Sequence, residues 1–234
     1  MSDERPPTWT VVLDVDDTLY LERDYVASGF TALEPVVRDT FGRDGFAASA
    51  WRLFVSGHRG NIFDLALTDL DVSYTPGQMA QLVSAYRCHS PRISLLPDSR
   101  EALDHLRRHG ARIAVITDGP EASQSAKVAA LGLRDHTDVV ILTDTYGPGF
   151  GKPHPRSYLD VVARTRTDRY VYAADNPRKD FAAPAALDWT TVRIRRPGGL
   201  HEALPHGTDV QHVVPDLLAM LERVPVTGEH PAHC

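Results

Sequence analysis

Cysteine is almost absent from this chain. Its 234 residues hold two, Cys88 and the final Cys234, which excludes a disulfide framework. Lysine is scarce as well: Lys127, Lys152 and Lys179 are the only three, and arginine supplies the rest of the 25 basic residues. Positive charge is not in surplus. The formal net charge of −6 excludes broad nucleic-acid binding, which needs a basic face. No apolar run approaches the roughly 20 residues of a membrane-spanning helix. Met1 to Pro7 is polar and proline-containing, without the apolar centre of a secretory leader, so a cytoplasmic location is expected. Repeats and low-complexity segments are missing. The closing stretch from Val226 to Cys234, with a glycine, a proline, His230 and His233, is expected to fray. The length suits one main domain plus a smaller insert.

Against these absences stands a concentration of acid. The β-branched run Val11-Val12-Leu13 continues into Asp14-Val15-Asp16-Asp17-Thr18. A short apolar run of this kind is a buried strand, and three carboxylates at its end repel one another. A divalent cation or an acid/base pair would account for them, and so would an Asp-rich turn. Asp14 and Asp16 are two residues apart, so in extended chain both side chains face one way.

Three further apolar runs end in polar groups. Arg112 to Ile116 runs into Thr117-Asp118-Gly119. Val139 to Leu142 is followed, after a glycine-rich loop, by Gly151-Lys152-Pro153. Tyr170 to Ala174 ends in Asp175-Asn176-Pro177-Arg178-Lys179-Asp180. Strands separated by helical segments argue for a parallel, doubly wound α/β sheet, which gathers its chemistry at the C-terminal strand ends. Asp14, Asp16, Thr117, Lys152, Asp175 and Asp180 are therefore expected in one crevice. Singly, Thr117 could be a helix cap, Lys152 a surface lysine and either Asp175 or Asp180 a cap residue. Their order and their places at strand ends argue for a shared site.

With these four motifs in order, the chain resembles the haloacid dehalogenase (HAD) superfamily of aspartyl-phosphate hydrolases. The segments Tyr86 to Pro91 and Gly151 to Pro155 resemble its capped phosphatases, and the likeness spans about residues 9 to 195. Two departures are visible. Ala174 stands where relatives carry Gly, and Asp118 where many carry Asn; neither removes a reacting group. The resemblance implies a Rossmann-like core and a magnesium-dependent phosphatase acting on a small phosphate ester. It makes Asp14 the nucleophile and Asp16 the acid/base. Asp14, Asp175 and the backbone carbonyl of Asp16 would hold Mg2+. Thr117 and the amides of Asp118 and Gly119 would take the phosphate oxygens, with Lys152 neutralising charge and Asp180 supporting. A haloalkanoate dehalogenase lacks the second Asp, so Asp16 argues against it. A phosphomutase or phosphotransferase shares every core residue, and a silent binding protein would have lost one.

About a hundred residues separate the first two motifs, far more than one crossover needs. From 24 to 91 the pattern is helical, with Phe30, Leu33, Val36 and Val37 on one face and Met79, Leu82, Val83 and Tyr86 on another. The expected division is a core of 1–23 and 92–225 with an all-helical cap of 24–91. Only 34 residues separate Thr117 from Lys152, too few for a second insert. Arg59, in the polar segment Gly57 to Asn61, and Arg87 and His89 near the insert's end are candidate substrate contacts. No membrane or nucleic-acid partner is expected.

Overall fold

The computed structural model describes residues 8–226, so the expected frayed tail lies outside the described residues beyond Val226. In chain order the elements are β1 (Trp9–Leu13), α1 (Glu22–Phe41), α2 (Phe46–Val55), α3 (Ile62–Asp69), α4 (Pro76–Arg87) and α5 (Pro97–Arg108). Then come β2 (Arg112–Thr117), α6 (Glu121–Ala130), α7 (Leu133–His136), β3 (Val139–Leu142), α8 (Arg156–Thr165) and β4 (Arg169–Ala174). The chain closes with α9 (Ala182–Ala186), β5 (Thr190–Ile194), β6 (His212–Val214) and α10 (Leu217–Arg223).

The six strands form one all-parallel sheet in the order β3-β2-β1-β4-β5-β6. The chain winds outward from β1 to β3, then returns to place β4 on the other side of β1. The reversal makes β1 and β4 the neighbours at the topological switch point, where an open α/β sheet leaves a crevice beyond its strand ends. The ladder continues past β1 through Asp14 N–H to the Ala173 carbonyl at 2.9 Å. Val11, Val12 and Leu13 are fully buried because helices cover both faces, which is why no polar alternation marks these strands. Behind the sheet, Tyr158, Tyr172, Phe181 and Trp189 form an aromatic cluster with edge-to-face contacts at 5.2–6.2 Å.

The chain separates into two compact units, one of residues 8–22 with 94–226 and one of residues 23–93. The second unit is helical throughout. Gly42 and Gly45, both at positive φ, end α1 and open α2 at the turn the sequence marks. α4 starts at a full capping box, in which the Thr75 hydroxyl accepts from Gln78 N–H and Gln78 Oε1 accepts from Thr75 N–H. This unit's interior is aromatic: Phe30 meets Phe54, Phe63 and Tyr86 at 6.1–6.4 Å. Gly29 has no side chain because the Tyr86 ring occupies the place, 2.2 Å from where a Cβ would sit.

Two strands escape the sequence reading. β5 reads Thr-Thr-Val-Arg-Ile, and Arg193 interrupts its apolar run although it is fully buried. β6 is three residues long, below what periodicity can detect.

Candidate active site

The loops after β1 and β4, with the segment around Lys152, bring Asp14, Asp175, Asp180 and Lys152 together. Lys152, with no exposed side-chain surface, donates to Asp14 Oδ1 and, at 2.9 Å, to Asp180 Oδ1. Asp180 is fully buried and fixed on its other sides by the Tyr172 hydroxyl at 3.1 Å and the Asn176 amide at 3.1 Å. It thus holds Lys152 against Asp14. Burial pushes the Asp14 carboxyl up to about 7; Lys152 opposes the shift, and the charges of Asp180, Asp175 and Asp16 add to it. Burial would lower the Lys152 ammonium, but Asp14 and Asp180 outweigh it and hold the pKa well above the usual lysine value.

Asp175 sits at the end of β4. Its Oδ2 pairs with His201 Nδ1 at 2.8 Å, and its backbone carbonyl accepts from buried Arg193 at 3.2 Å. Burial raises the Asp175 carboxyl, with His201 opposing; His201 is raised in turn by the bond to Asp175. Asp17 has a different task. It adopts φ 51°, and its carboxylate accepts the amides of Glu22 at 2.8 Å and Leu200 at 2.7 Å. The third acid of the opening cluster is therefore a clamp that shapes the loop after β1. Burial pushes it up to about 6 against those two amide bonds. Arg196 closes the same loop from beneath, donating to the Thr18 carbonyl at 2.6 and 2.9 Å and to Asp98 at 2.7 and 3.1 Å.

The Asp16 carboxylate belongs to a separate cluster. Both of its oxygens accept from Lys127 Nζ on α6, at 2.7 and 2.9 Å, and Oδ1 also accepts from the Tyr20 hydroxyl. Glu22 lies in the field of this group; burial pushes it up to about 8, the charge of Asp16 adding and Lys127 opposing.

Thr117 ends β2 fully buried, and its hydroxyl donates to Gln124 Oε1 at 2.7 Å, so a phosphate oxygen taking that proton must displace this bond. Gly119 has φ +141°, a backbone open to glycine, and a Cβ there would lie 2.8 Å from the Gln124 amide. Asp118 accepts from the Thr143 hydroxyl at 2.6 Å, Lys179 at 3.2 Å and the Lys152 amide at 3.3 Å. Burial works against its charge, but Thr143 and Lys179 outweigh it and hold the carboxyl below the usual range. This carboxylate in place of an amide is thus used: it anchors the backbone at Lys152. Gly151 must remain glycine for the same reason, since a Cβ there would lie 2.5 Å from the Asp118 carboxylate.

In the helical unit, Arg59 lays its guanidinium over the Phe54 ring at 4.1 Å and donates to the Phe54 and His58 carbonyls at 2.8 and 2.6 Å. Arg87 is exposed in the last turn of α4. His89 differs from the expectation of a substrate contact. It is buried between Tyr25 and Tyr86, with Nδ1 held 2.6 Å from the Tyr86 carbonyl, and serves packing.

Asp14, Asp175 and Asp180 each bring a carboxylate oxygen within 4.8 Å of the others, all three residues buried. Lys152 is shared by Asp14 and Asp180, while Asp175 has the half-buried His201 beside it. An all-oxygen donor set carrying excess negative charge fits a hard divalent cation such as Mg2+. A second grouping, Asp17, Asp175 and His201, is equally close, but His201 is bonded to Asp175 and Asp17 to the Leu200 and Glu22 amides.

A family profile described as haloacid dehalogenase-like hydrolase matches residues 10–188, the stretch that carries all of these loops. The chain belongs to that family. It is 29% identical over 204 residues to a ribulose-1,5-bisphosphate 5-phosphatase of Halopiger xanaduensis, covering 78% of this chain and 82% of the relative. It is 26% identical over 194 residues to a glyceraldehyde 3-phosphate phosphatase of Methanocaldococcus jannaschii, covering 79% and 83%. A HAD phosphatase of Thermococcus onnurineus shares the fold with TM-score 0.61 at 19% identity, over 95% of this chain and all of that one. Lys127, Tyr20, His201, Arg193 and Arg196 are additions that motif reading did not supply. All three lysines of this arginine-rich chain pair with carboxylates that follow β1, β2 or β4.

Proposed function

We propose that this HAD-family enzyme is a Mg2+-dependent phosphatase of small phosphomonoesters. The observation that carries the reading is the pairing of Asp14 with buried Lys152 while Asp16, two residues on, keeps its own separate cation. The two carboxylates thereby have different surroundings, one buried against Lys152 and the other partly exposed beside Lys127, which suits two different roles.

In this reading ionised Asp14 attacks phosphorus, and Asp16, entering this step in its acid form, gives its proton to the departing ester oxygen and is left as carboxylate. The resulting aspartyl-phosphate is hydrolysed by water that Asp16 deprotonates. Lys152 offsets charge on the nucleophile and on the phosphoryl oxygens. Thr117 and the amides of Asp118 and Gly119 receive those oxygens, beside the N-terminus of α6. A cation held by Asp14, Asp175 and the Asp16 carbonyl, with Asp180 in support, would neutralise the approach of two anions. Tyr172 and Asn176 keep Asp180 from turning away.

The substrate class is a small phosphorylated sugar, polyol or nucleoside monophosphate. It is supported by relatives named for ribulose-1,5-bisphosphate and glyceraldehyde 3-phosphate. The helical unit of residues 23–93 would serve as a cap that selects among these compounds, with Arg59 and Arg87 as its candidate contacts. Inorganic phosphate released from a panel of phosphorylated metabolites, with Mg2+ present and absent, tests the reading. Release from at least one small ester is expected. No release from the panel or from p-nitrophenyl phosphate would overturn it.

A further inference from the structure

We infer that Lys127 is a positioning residue that fixes the orientation of the Asp16 carboxylate; the inference rests on the phosphatase reading. The ammonium lies against both carboxylate oxygens, 2.7 Å from Oδ1 and 2.9 Å from Oδ2, and the side chain is 4% exposed. A cation placed across both oxygens holds the position and the plane of the group together. Tyr20 adds a second donor to Oδ1 only. Oδ2 therefore keeps the less occupied lone pairs.

The placement comes from one helix face. Ser123, Gln124, Lys127 and Val128 are the buried residues of α6. Gln124 and Lys127, three positions apart and so on the same side, bond to Thr117 at the end of β2 and to Asp16 beyond β1. A single ten-residue helix thus braces two motifs that lie about a hundred residues apart in sequence. A lysine kept only for solubility would be solvated, and burying an ammonium is costly unless it is well paired. Lys127 is buried behind Asp16, whose side chain keeps 20% exposure, so Asp16 is the member of the pair that can meet another molecule.

The test compares kcat/KM for p-nitrophenyl phosphate with kcat/KM for an alkyl phosphate. This ratio reports the first chemical step, in which only the alkoxide needs a proton. Lys127→Met should lower kcat/KM for the alkyl ester by roughly 10-fold or more, a part of what general acid catalysis supplies, and should change the nitrophenyl value far less. Lys127→Arg should recover part of the loss. In an Asp16→Ala background, Lys127→Met should lower kcat/KM no further. If the methionine variant does not fold, Lys127→Gln, which keeps a neutral donor one bond shorter, should show the same selective loss. A folded Lys127 variant with a wild-type ratio would overturn the inference and leave the phosphatase reading standing. So would an equal loss on both esters that persists in the Asp16→Ala background. A wild type that hydrolyses neither ester would overturn the phosphatase reading, and this inference with it.

Discussion

The sheet unit and the helical unit solve the problem of an interior in opposite ways. Among the described residues, every buried Asp, Lys and Arg lies in the sheet unit: Asp14, Asp17, Asp175, Asp180, Lys127, Lys152, Arg193 and Arg196. The helical unit buries no charged residue; its interior is Phe30, Phe46, Phe54, Leu33, Leu67 and their neighbours, with Ser49 and His89 as its buried polar groups. Buried charge is expensive, and it persists only where each ion has a partner. The sheet unit therefore carries a cost that stability alone does not explain, concentrated at the C-terminal ends of β1, β2 and β4. The helical unit bears no such cost. Substitutions in the first should act on chemistry, and substitutions in the second on packing or selection.

The largest effects that would sharpen this contrast lie at the charged residues. Asp16→Ala should reduce kcat/KM for alkyl phosphates by about 100- to 10,000-fold, the usual worth of general acid catalysis. It should spare p-nitrophenyl phosphate, whose leaving group needs no proton; equal losses would remove Asp16 from the acid role. Lys152→Met should lower turnover by about 100- to 1,000-fold, as loss of one charge-stabilising donor does. It should also destabilise the protein by about 3–5 kcal/mol, because Asp14 and Asp180 lose their buried cation. Calorimetry showing an unchanged Tm would contradict the pairing.

Metal binding comes next. Adding Mg2+ at about 100 times its Kd should raise stability by about 2.7 kcal/mol, and chelator should reverse both this gain and the activity. The shift should vanish in Asp175→Asn. Persistence of the full shift in that variant would place the cation elsewhere. The smallest effect is expected in the helical unit. Arg59→Ala should weaken kcat/KM for the best metabolite by roughly tenfold, the worth of one charge-assisted hydrogen bond, and leave p-nitrophenyl phosphate unchanged. Identical kinetics on both would return Arg59 to its local role over Phe54.

What could be read in advance follows the range over which residues act. β1 to β4 were visible because strands buried on both faces keep continuous apolar runs. The Asp14, Thr117, Lys152 and Asp175 positions were visible because each directly follows one of these strands or its loop. The helical insert was visible through its 3.6-residue periodicity and its glycine breaks. β5 was hidden because Arg193 stands where a hydrophobic residue would be expected, spent on the carbonyls of Asp175, His201 and Leu204. The partnership of Lys127 with Asp16 was hidden for another reason. It spans 111 positions, and nothing local to either residue announces it. Asp17 has no role that the sequence specifies within the acidic cluster, and only the folded loop shows its carboxylate committed to two backbone amides.

The central claim is that Asp14 is the nucleophile, and Asp14→Asn tests it most directly, since the amide keeps the shape but cannot form an acyl-phosphate. Purified wild type and Asp14→Asn, compared on p-nitrophenyl phosphate with Mg2+ and matched by circular dichroism, should differ completely: turnover in the first and none above background in the second. Substantial hydrolysis by a correctly folded Asp14→Asn preparation would contradict the account.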